Sequence, residues 1–317
     1  MTSGPPLRVG IAGAGRTRQG LGPYFAKWFE AVGARIVAVS GRDLGGARRA
    51  AAEITTVVGH DVAAAPTALE LARSVDLLVV ASPVPAHLDG LDAALAANVP
   101  CLCEKPLVSF HDEAAGRARI AAFAAKNLLL AENCQWPFVL PALFELHPGL
   151  AGQRVDHVAM GLSPIGTGFS MIEDSLSHVL SLVQGLGVVR ADTVVGDVRC
   201  SDPAPSAPGC VVSFSLASGS RTVAVTLHLE SHPRQPRPAW FAVNNVRIDR
   251  RIGENYALSF VAADGRATNV TDPLHQLVYR LALQLQAEPS ESTRAFASPL
   301  DDRLRLYAAI LRAIEGR

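Results

Sequence analysis

Lysine is scarce in this chain of 317 residues: Lys27, Lys105 and Lys126 are the only three, and every other cationic side chain is arginine. Excess charge is absent too, since Lys plus Arg number 29, Asp plus Glu number 29 and the formal net charge is +0. A balanced chain of pI about 7.1 offers a polyanion no broad basic face, which excludes nucleic acid as the expected partner. Cysteine is sparse. Cys101, Cys103, Cys134, Cys200 and Cys210 are odd in number, and the close pair Cys101 and Cys103 has no second pair to complete a zinc site, so free thiols and no metal are expected. No apolar run approaches the roughly 20 residues of a membrane span. Met1 to Leu7, with a Ser, a Gly and two Pro, does not read as a signal peptide. These absences point to a cytoplasmic protein, without membrane or nucleic acid as a partner. Internal repeats are missing as well.

What is present is apolar content enough for a core, 49% of residues, and a length that suits about two domains at roughly 150 residues each. Through the first half, short apolar runs alternate with helical spacing. Strands are expected at 7–12, 34–40, 76–81, 100–103 and 127–131, and helices at 24–32, 44–54, 65–73, 88–97 and 112–126. Such alternation predicts a doubly wound parallel sheet with right-handed crossovers. After Asn133 the pattern changes to strand-like runs at 154–161, 210–216, 221–230, 240–247 and 256–262, with helices at 172–186, 274–286 and 301–314. The expected fold class is therefore α/β: an N-terminal Rossmann domain, 1–133, and a C-terminal α+β domain, 134–317, with a large, mainly antiparallel open sheet. The closing helix, 301–315, is expected to pack back on the first domain. Two Pro-rich loops, 201–209 and 231–238, interrupt the second half. The arginines of the latter read as solvated, with contact to an anionic ligand as the lesser alternative.

The first strand runs into Gly13-Ala14-Gly15, a turn in which backbone N–H groups can approach a pyrophosphate. The third glycine of the G-x-G-x-x-G spacing falls on Arg18, with Gly20 and Gly22 arriving late, so a longer loop is expected. At the end of the second strand stands Ser40-Gly41-Arg42, with no acidic residue for a ribose 2′-hydroxyl but with a guanidinium suited to a 2′-phosphate. Arg16, Thr17 and Arg18 lie in the glycine loop. NADP(H) is accordingly favoured over NAD(H), and the alternative makes Asp43 the ribose partner.

Two further stretches stand out. Ala81-Ser82-Pro83-Val84-Pro85-Ala86-His87 is followed by Cys101-Leu102-Cys103-Glu104-Lys105-Pro106, and Asp174-Ser175-Leu176-Ser177-His178 lies on a predicted helix. In order and spacing the chain resembles the Gfo/Idh/MocA oxidoreductases, with their T-P-x-x-x-H turn, E-K-P signature and D-x-x-x-H helix. The resemblance implies hydride transfer between C4 of a nicotinamide and a secondary alcohol or ketone of a sugar, sugar derivative or cyclitol. It implies His178 as general acid or base, Asp174 orienting the hydroxyl, and Lys105 bridging substrate and nicotinamide ribose. It also implies Ser82, Pro83, His87, Glu104 and Pro106 around the cofactor, Gln135 and Trp136 at the substrate, and a homodimer or homotetramer.

Physical chemistry reads the same residues the same way. An ammonium just after a buried strand stabilises charge developing on oxygen. Asp174 and His178, four residues apart on a helix, share one face, where a carboxylate and an imidazole can position a hydroxyl and exchange its proton. The chain departs from the family pattern at Ser181, where a second Asp is common, at Asn133-Cys134-Gln135-Trp136, and in the approach Gly166 to Met171. Those departures suggest a pocket less polar than a typical sugar site. Reduction of a C=N or C=C bond is the alternative enzyme reading, and a dinucleotide-binding regulator without chemistry is the non-enzymatic one.

Overall fold

The computed structural model describes residues 5–15, 20–201, 204, 206–286 and 292–316, with no account of the side chains of 255, 286 and 292–298. Six parallel strands build the first sheet: β1 (Arg8–Ala12), β2 (Arg35–Ser40), β3 (Ala63–Ala65), β4 (Leu77–Val80), β5 (Cys101–Cys103) and β6 (Leu130–Glu132). Between them run α1 (Gly22–Ala31), α2 (Leu44–Val58), α3 (Ala68–Ala72), α4 (His87–Ala97) and α5 (Glu113–Ala125). The strand order is β3-β2-β1-β4-β5-β6. Strand order reverses between β1 and β4, so the ends of these strands open at the switch point where such sheets take ligands. Leu77, Leu78, Val79 and Val80 are all 0% exposed, as a strand covered on both faces requires.

Local chemistry sets the ends of these elements. The Asp43 side chain accepts a hydrogen bond from the Gly46 amide at 2.6 Å and caps α2, which ends at Gly59 in the left-handed region, φ +76°. The helix thus outruns the expected 44–54, because its β-branched last turn is tolerated up to a glycine stop. Ala65, expected to open the next helix, instead ends β3 (Ala63–Ala65). Alanine favours helix, but pairing of Ala63 with Ala38 of β2 overrides that preference.

The second sheet has eight strands: β7 (His157–Leu162), β8 (Val194–Cys200), β9 (Gly209–Ser218), β10 (Arg221–Glu230), β11 (Ala239–Val243), β12 (Val246–Ile252), β13 (Leu258–Ala262) and β14 (Ala267–Val270). Their order is β14-β13-β12-β11-β7-β10-β9-β8, antiparallel except for the β7/β10 pair. In chain order, α6 (Leu140–Leu146) and α7 (Gly168–Gly185) flank β7, and α8 (Pro273–Gln286) and α9 (Ser292–Glu315) follow β14. Strand β10 shows the period of two, with Val223, Val225, Leu227 and Leu229 buried while Thr222, Ala224, His228 and Glu230 are exposed. The run 240–247, expected as one strand, is a hairpin. Asn244 and Asn245 take φ of +49° and +67°, the conformation of a two-residue turn that asparagine tolerates, and β11 and β12 pair across it. Asn244 also accepts the amides of Asp156 and His157 and donates to the carbonyl of Arg154.

The chain divides into two compact units, Met1–Asn133 with Leu274–Asp301, and Cys134–Pro273 with Asp302–Arg317. The C-terminal stretch that joins the first unit is therefore 274–301, whereas 302–317, expected to return to it, belongs to the second. Among the described residues no helix is long and apolar enough to cross a membrane.

Candidate functional site

In the first unit the predicted cofactor residues converge on the carboxyl edge of the sheet. Gly13 takes φ +81° and donates its amide to the Ser40 carbonyl at 2.9 Å; a Cβ there would lie 2.5 Å from Ser82 N and Cα. The turns after β1, β2 and β4 are thus in contact, and only glycine fits the junction. A Cβ on Gly15 would meet no described atom within 4 Å, which leaves its backbone approachable. Gly22 holds the place of the third glycine: a Cβ on it would fall 2.2 Å from the Ala14 carbonyl oxygen, so α1 begins tight against the turn. Arg16, Thr17 and Arg18 lie outside the described residues. Ser40 is buried, Gly41 packs against the Ala47 amide, and Arg42 is exposed. Asp43, the alternative ribose partner, has its carboxylate committed to the α2 cap.

The turns after β4 and β5 are tied from within. His87 is 0% exposed, its Nε2 facing the Ser82 carbonyl at 2.8 Å and its Nδ1 facing those of Pro106 and Leu107 at 3.0 and 3.1 Å. Burial lowers its pKa, against those carbonyls and the Glu132 charge. His87, expected near the cofactor, links both turns through these carbonyls. The Lys105–Pro106 peptide is cis, Lys105 is half-buried, and the Leu107 amide donates to Glu132 Oε1 at 2.8 Å. Removing that buried acceptor costs about 1–3 kcal/mol. Glu104 accepts from the Asn133 amide group, and its own amide bonds the Val80 carbonyl at 2.8 Å. Burial pushes the Glu104 carboxyl up to about 7; the Lys105 charge and the Asn133 hydrogen bond oppose this, and the Glu132 charge adds to it.

In the second unit Asp174 and His178 share one face of α7, Asp174 exposed and His178 half-buried. The imidazole meets the Trp136 ring edge-on at 6.4 Å, and Trp136, 7% exposed, also packs against Phe241 and Phe260 at 6.1 and 6.5 Å. Trp136 is thus the wall of an aromatic cluster, with Gln135 half-buried beside it. Ser181 is 0% exposed and donates to the His178 carbonyl at 2.8 Å, so the position of a second acid in the family here serves the helix itself. Tyr307, 2% exposed, donates its hydroxyl to the Glu173 carbonyl at 3.3 Å and steadies α7 beside Asp174. Arg250 reaches the same cluster, its guanidinium carbon 5.9 Å from the Trp136 ring.

The structure brings the described residues predicted for the dinucleotide together in one unit, and Asp174, His178 and Trp136 together in the other. Sequence reasoning had Gly22 only as a late glycine of the loop, and missed Glu132, Tyr307 and Arg250. Of these three only Glu132 left a signal, an acid ending an apolar strand.

Residues 7–133 match the Gfo/Idh/MocA family model, described as an oxidoreductase family with an NAD-binding Rossmann fold. Inositol 2-dehydrogenase of Streptomyces avermitilis is 37% identical over 122 residues, 38% of this chain and 33% of that protein. Inositol 2-dehydrogenase 4 of Saccharopolyspora erythraea is 40% identical over 101 residues, 32% of this chain and 28% of its own length. The matched segment thus spans about a third of these curated relatives. Among solved structures, UDP-N-acetylglucosamine 3-dehydrogenase GnnA from Acidithiobacillus ferrooxidans aligns with TM-score 0.64 at 21% identity, covering 96% of this chain and 99% of that one. An inositol dehydrogenase homolog from Azotobacter vinelandii, complexed with NAD+, aligns with TM-score 0.64 at 15% identity, covering 98% and 94%. Both extend the fold likeness over nearly the whole chain.

Glu104 yields a pH prediction. Its folded pKa of about 7 exceeds the ordinary 4.5, so the folded chain holds a proton that the unfolded chain has released, and stability falls as pH rises from about 4.5 to about 7. Glu104→Gln keeps an acceptor for Asn133 and removes that loss. Melting temperatures should show the variant gaining on the natural protein from pH 5 to pH 8; a constant offset would refute the assignment.

Proposed function

Since residues 7–133 belong to the Gfo/Idh/MocA oxidoreductase family, we propose that the whole chain is a nicotinamide-dependent dehydrogenase or reductase acting on a secondary alcohol or ketone of a sugar, sugar derivative or cyclitol. The observation that carries it is the Glu104-Lys105-Pro106 turn, held by Glu132 and His87 at the carboxyl end of β5 within the matched segment. The glycine turn, with Gly13 and Gly22 filled by neighbouring backbone and Gly15 open, fits a dinucleotide pyrophosphate. The nicotinamide, when bound, supplies the hydride acceptor or donor. Lys105 offers an ammonium to the substrate oxygen and stabilises charge developing there. His178 exchanges the hydroxyl proton, and Asp174 on the same helix face orients that hydroxyl. The curated relatives, named inositol 2-dehydrogenases, support a cyclitol or similar polyol. Retention of both Asp174 and His178 favours carbonyl–alcohol chemistry over imine reduction, which needs one proton donor, and over a regulator, which needs none.

NADP(H) is the cofactor this reading selects. Arg42 is exposed just past β2, and the nearby carboxylate of Asp43 is taken by the Gly46 amide. Fluorescence titration should give NADPH a Kd at least about tenfold below that of NADH, with Arg42→Ala raising the NADPH value alone; equal affinities would overturn it. For the chemistry, Lys105→Met and His178→Ala should each lower turnover about 10²-fold or more while cofactor binding persists. Near-normal turnover in either removes that residue from the mechanism.

The assembly is a homodimer or homotetramer through the open face of the eight-stranded sheet. That face carries the Trp240 indole laid over Gly161 and under the Arg247 guanidinium at 4.2 Å, with His228 5.4 Å away and Val211 36% exposed. Light scattering on the full chain should return a dimer or tetramer mass. A monomer at micromolar concentration would count against it.

A further inference from the structure

The second unit buries one guanidinium that the chemistry above does not use. Arg250 stands on β12 opposite Phe260 of β13, on the face where Ile248 is 0% exposed. Its Nη2 donates to the Arg237 carbonyl at 2.9 Å, its carbon lies 5.9 Å from the Trp136 ring, and its Nε is buried with no hydrogen-bond partner. Among the described residues no carboxylate pairs with it. Three positions away in sequence the opposite arrangement holds: Arg247, exposed on the other face, pairs with Asp249 at 2.6 Å. Electrostatics would favour the reverse, since an exposed ion pair adds little and a buried unpaired charge is far costlier.

A second cation stands beside it. Burial, followed by the charge of Arg237, holds the Arg250 pKa down to about 10. Arg237 comes from the Pro-rich loop 231–238 and is itself half-buried. An anion received here would offset both the desolvation and the repulsion, and a planar fork with a donor to spare suits a carboxylate or a phosphate. The site also has an address. His178 meets the same Trp136 indole at 6.4 Å, so one aromatic wall serves both the imidazole and the guanidinium.

We propose that Arg250, with Arg237 beside it, binds a carboxylate or phosphate group of the substrate, making the substrate class an acidic sugar or cyclitol derivative instead of a neutral polyol. This rests on the reading of His178 as the acid–base group, which puts the reacting hydroxyl beside Trp136.

Calorimetric titration tests it on the full chain saturated with whichever nicotinamide dinucleotide binds more tightly. The probes are glucuronate, glucose 6-phosphate, glucose and myo-inositol, applied to the natural protein, Arg250→Met and Arg250→Lys. At least one anionic probe should bind about tenfold or more tightly than glucose, with that advantage lost in Arg250→Met and partly kept in Arg250→Lys. Glucose and myo-inositol should bind all three proteins alike. The glucuronate and glucose 6-phosphate arms separate carboxylate from phosphate. Should Arg250→Met fail to fold, Arg250→Lys and the loss of the natural protein's anion preference between low and high salt carry the test. No binding of either anionic probe, neutral probes bound as tightly, or a preference unchanged by the substitutions would overturn the proposal. Turnover separates the two readings. An anionic probe bound through Arg250 but never oxidised leaves the anion site standing and sinks the hydride chemistry, whereas oxidation of neutral probes alone does the reverse.

Discussion

The Glu132 carboxylate on the Leu107 amide, with the His87 imidazole wedged between the carbonyls of Ser82, Pro106 and Leu107, is the interaction on which the first unit's edge depends. Loops at a sheet's edge carry function but hold themselves poorly. Here three successive strands, β4, β5 and β6, each send one polar side chain or turn into a common buried network. The backbone that carries Lys105 is therefore held by the buried side chains of Glu132 and His87. Such networks are worth having only when each group is satisfied, because a half-satisfied one in low dielectric is costlier than an apolar core.

Charge is handled differently at the two ends of the molecule's chemistry. At the surface several arginines are paired, as Arg8 with Asp76, Arg117 with Asp301 and Arg119 with Asp92. Glu104 and Arg250 break that habit, one with its carboxyl pushed up by burial and the other without a counterion. Sites that must bind or react are where such local conflicts are tolerated, the cost being carried by the rest of the structure. In Arg250 that tolerance points at a ligand, and in Glu104 at the neighbouring ammonium of Lys105.

Much of this was legible in the sequence, for stated reasons. The parallel sheet followed from apolar runs of strand length separated by helical spacing, and β10 occupies the expected 221–230 because its alternation is unbroken. The motif residues stand where turn chemistry put them: Gly13 after β1, Ser82 after β4, Lys105 after β5, Asp174 and His178 on α7. What failed did so through partners distant in sequence. The alanines of β3 are strand only because β2 lies beside them, and the break between β11 and β12 hides in two asparagines that only a twisted ladder forces into the left-handed region. Helix α6 and strand β14 were too short to show a period, and β8 buries Val198 alone, so no alternation marks it. Arg250 was unreadable in kind, since an arginine on a strand announces neither its face nor its lack of a partner.

The first unit is not one stretch of chain. Leu274, Leu277, Val278, Leu281 and Ala282 of α8, each 8% exposed or less, belong to the body built from residues 1–133, although 140 positions of sequence separate them. A gene fragment stopping at Asn133 would encode every strand of the nucleotide-binding sheet yet leave bare the apolar surface those five residues cover. Recombination at a single breakpoint would do the same. Exchange of this module between proteins requires two cuts and a matching return segment, so its inheritance is bound to that of the C-terminal helices even though the recognisable signature ends far upstream of them.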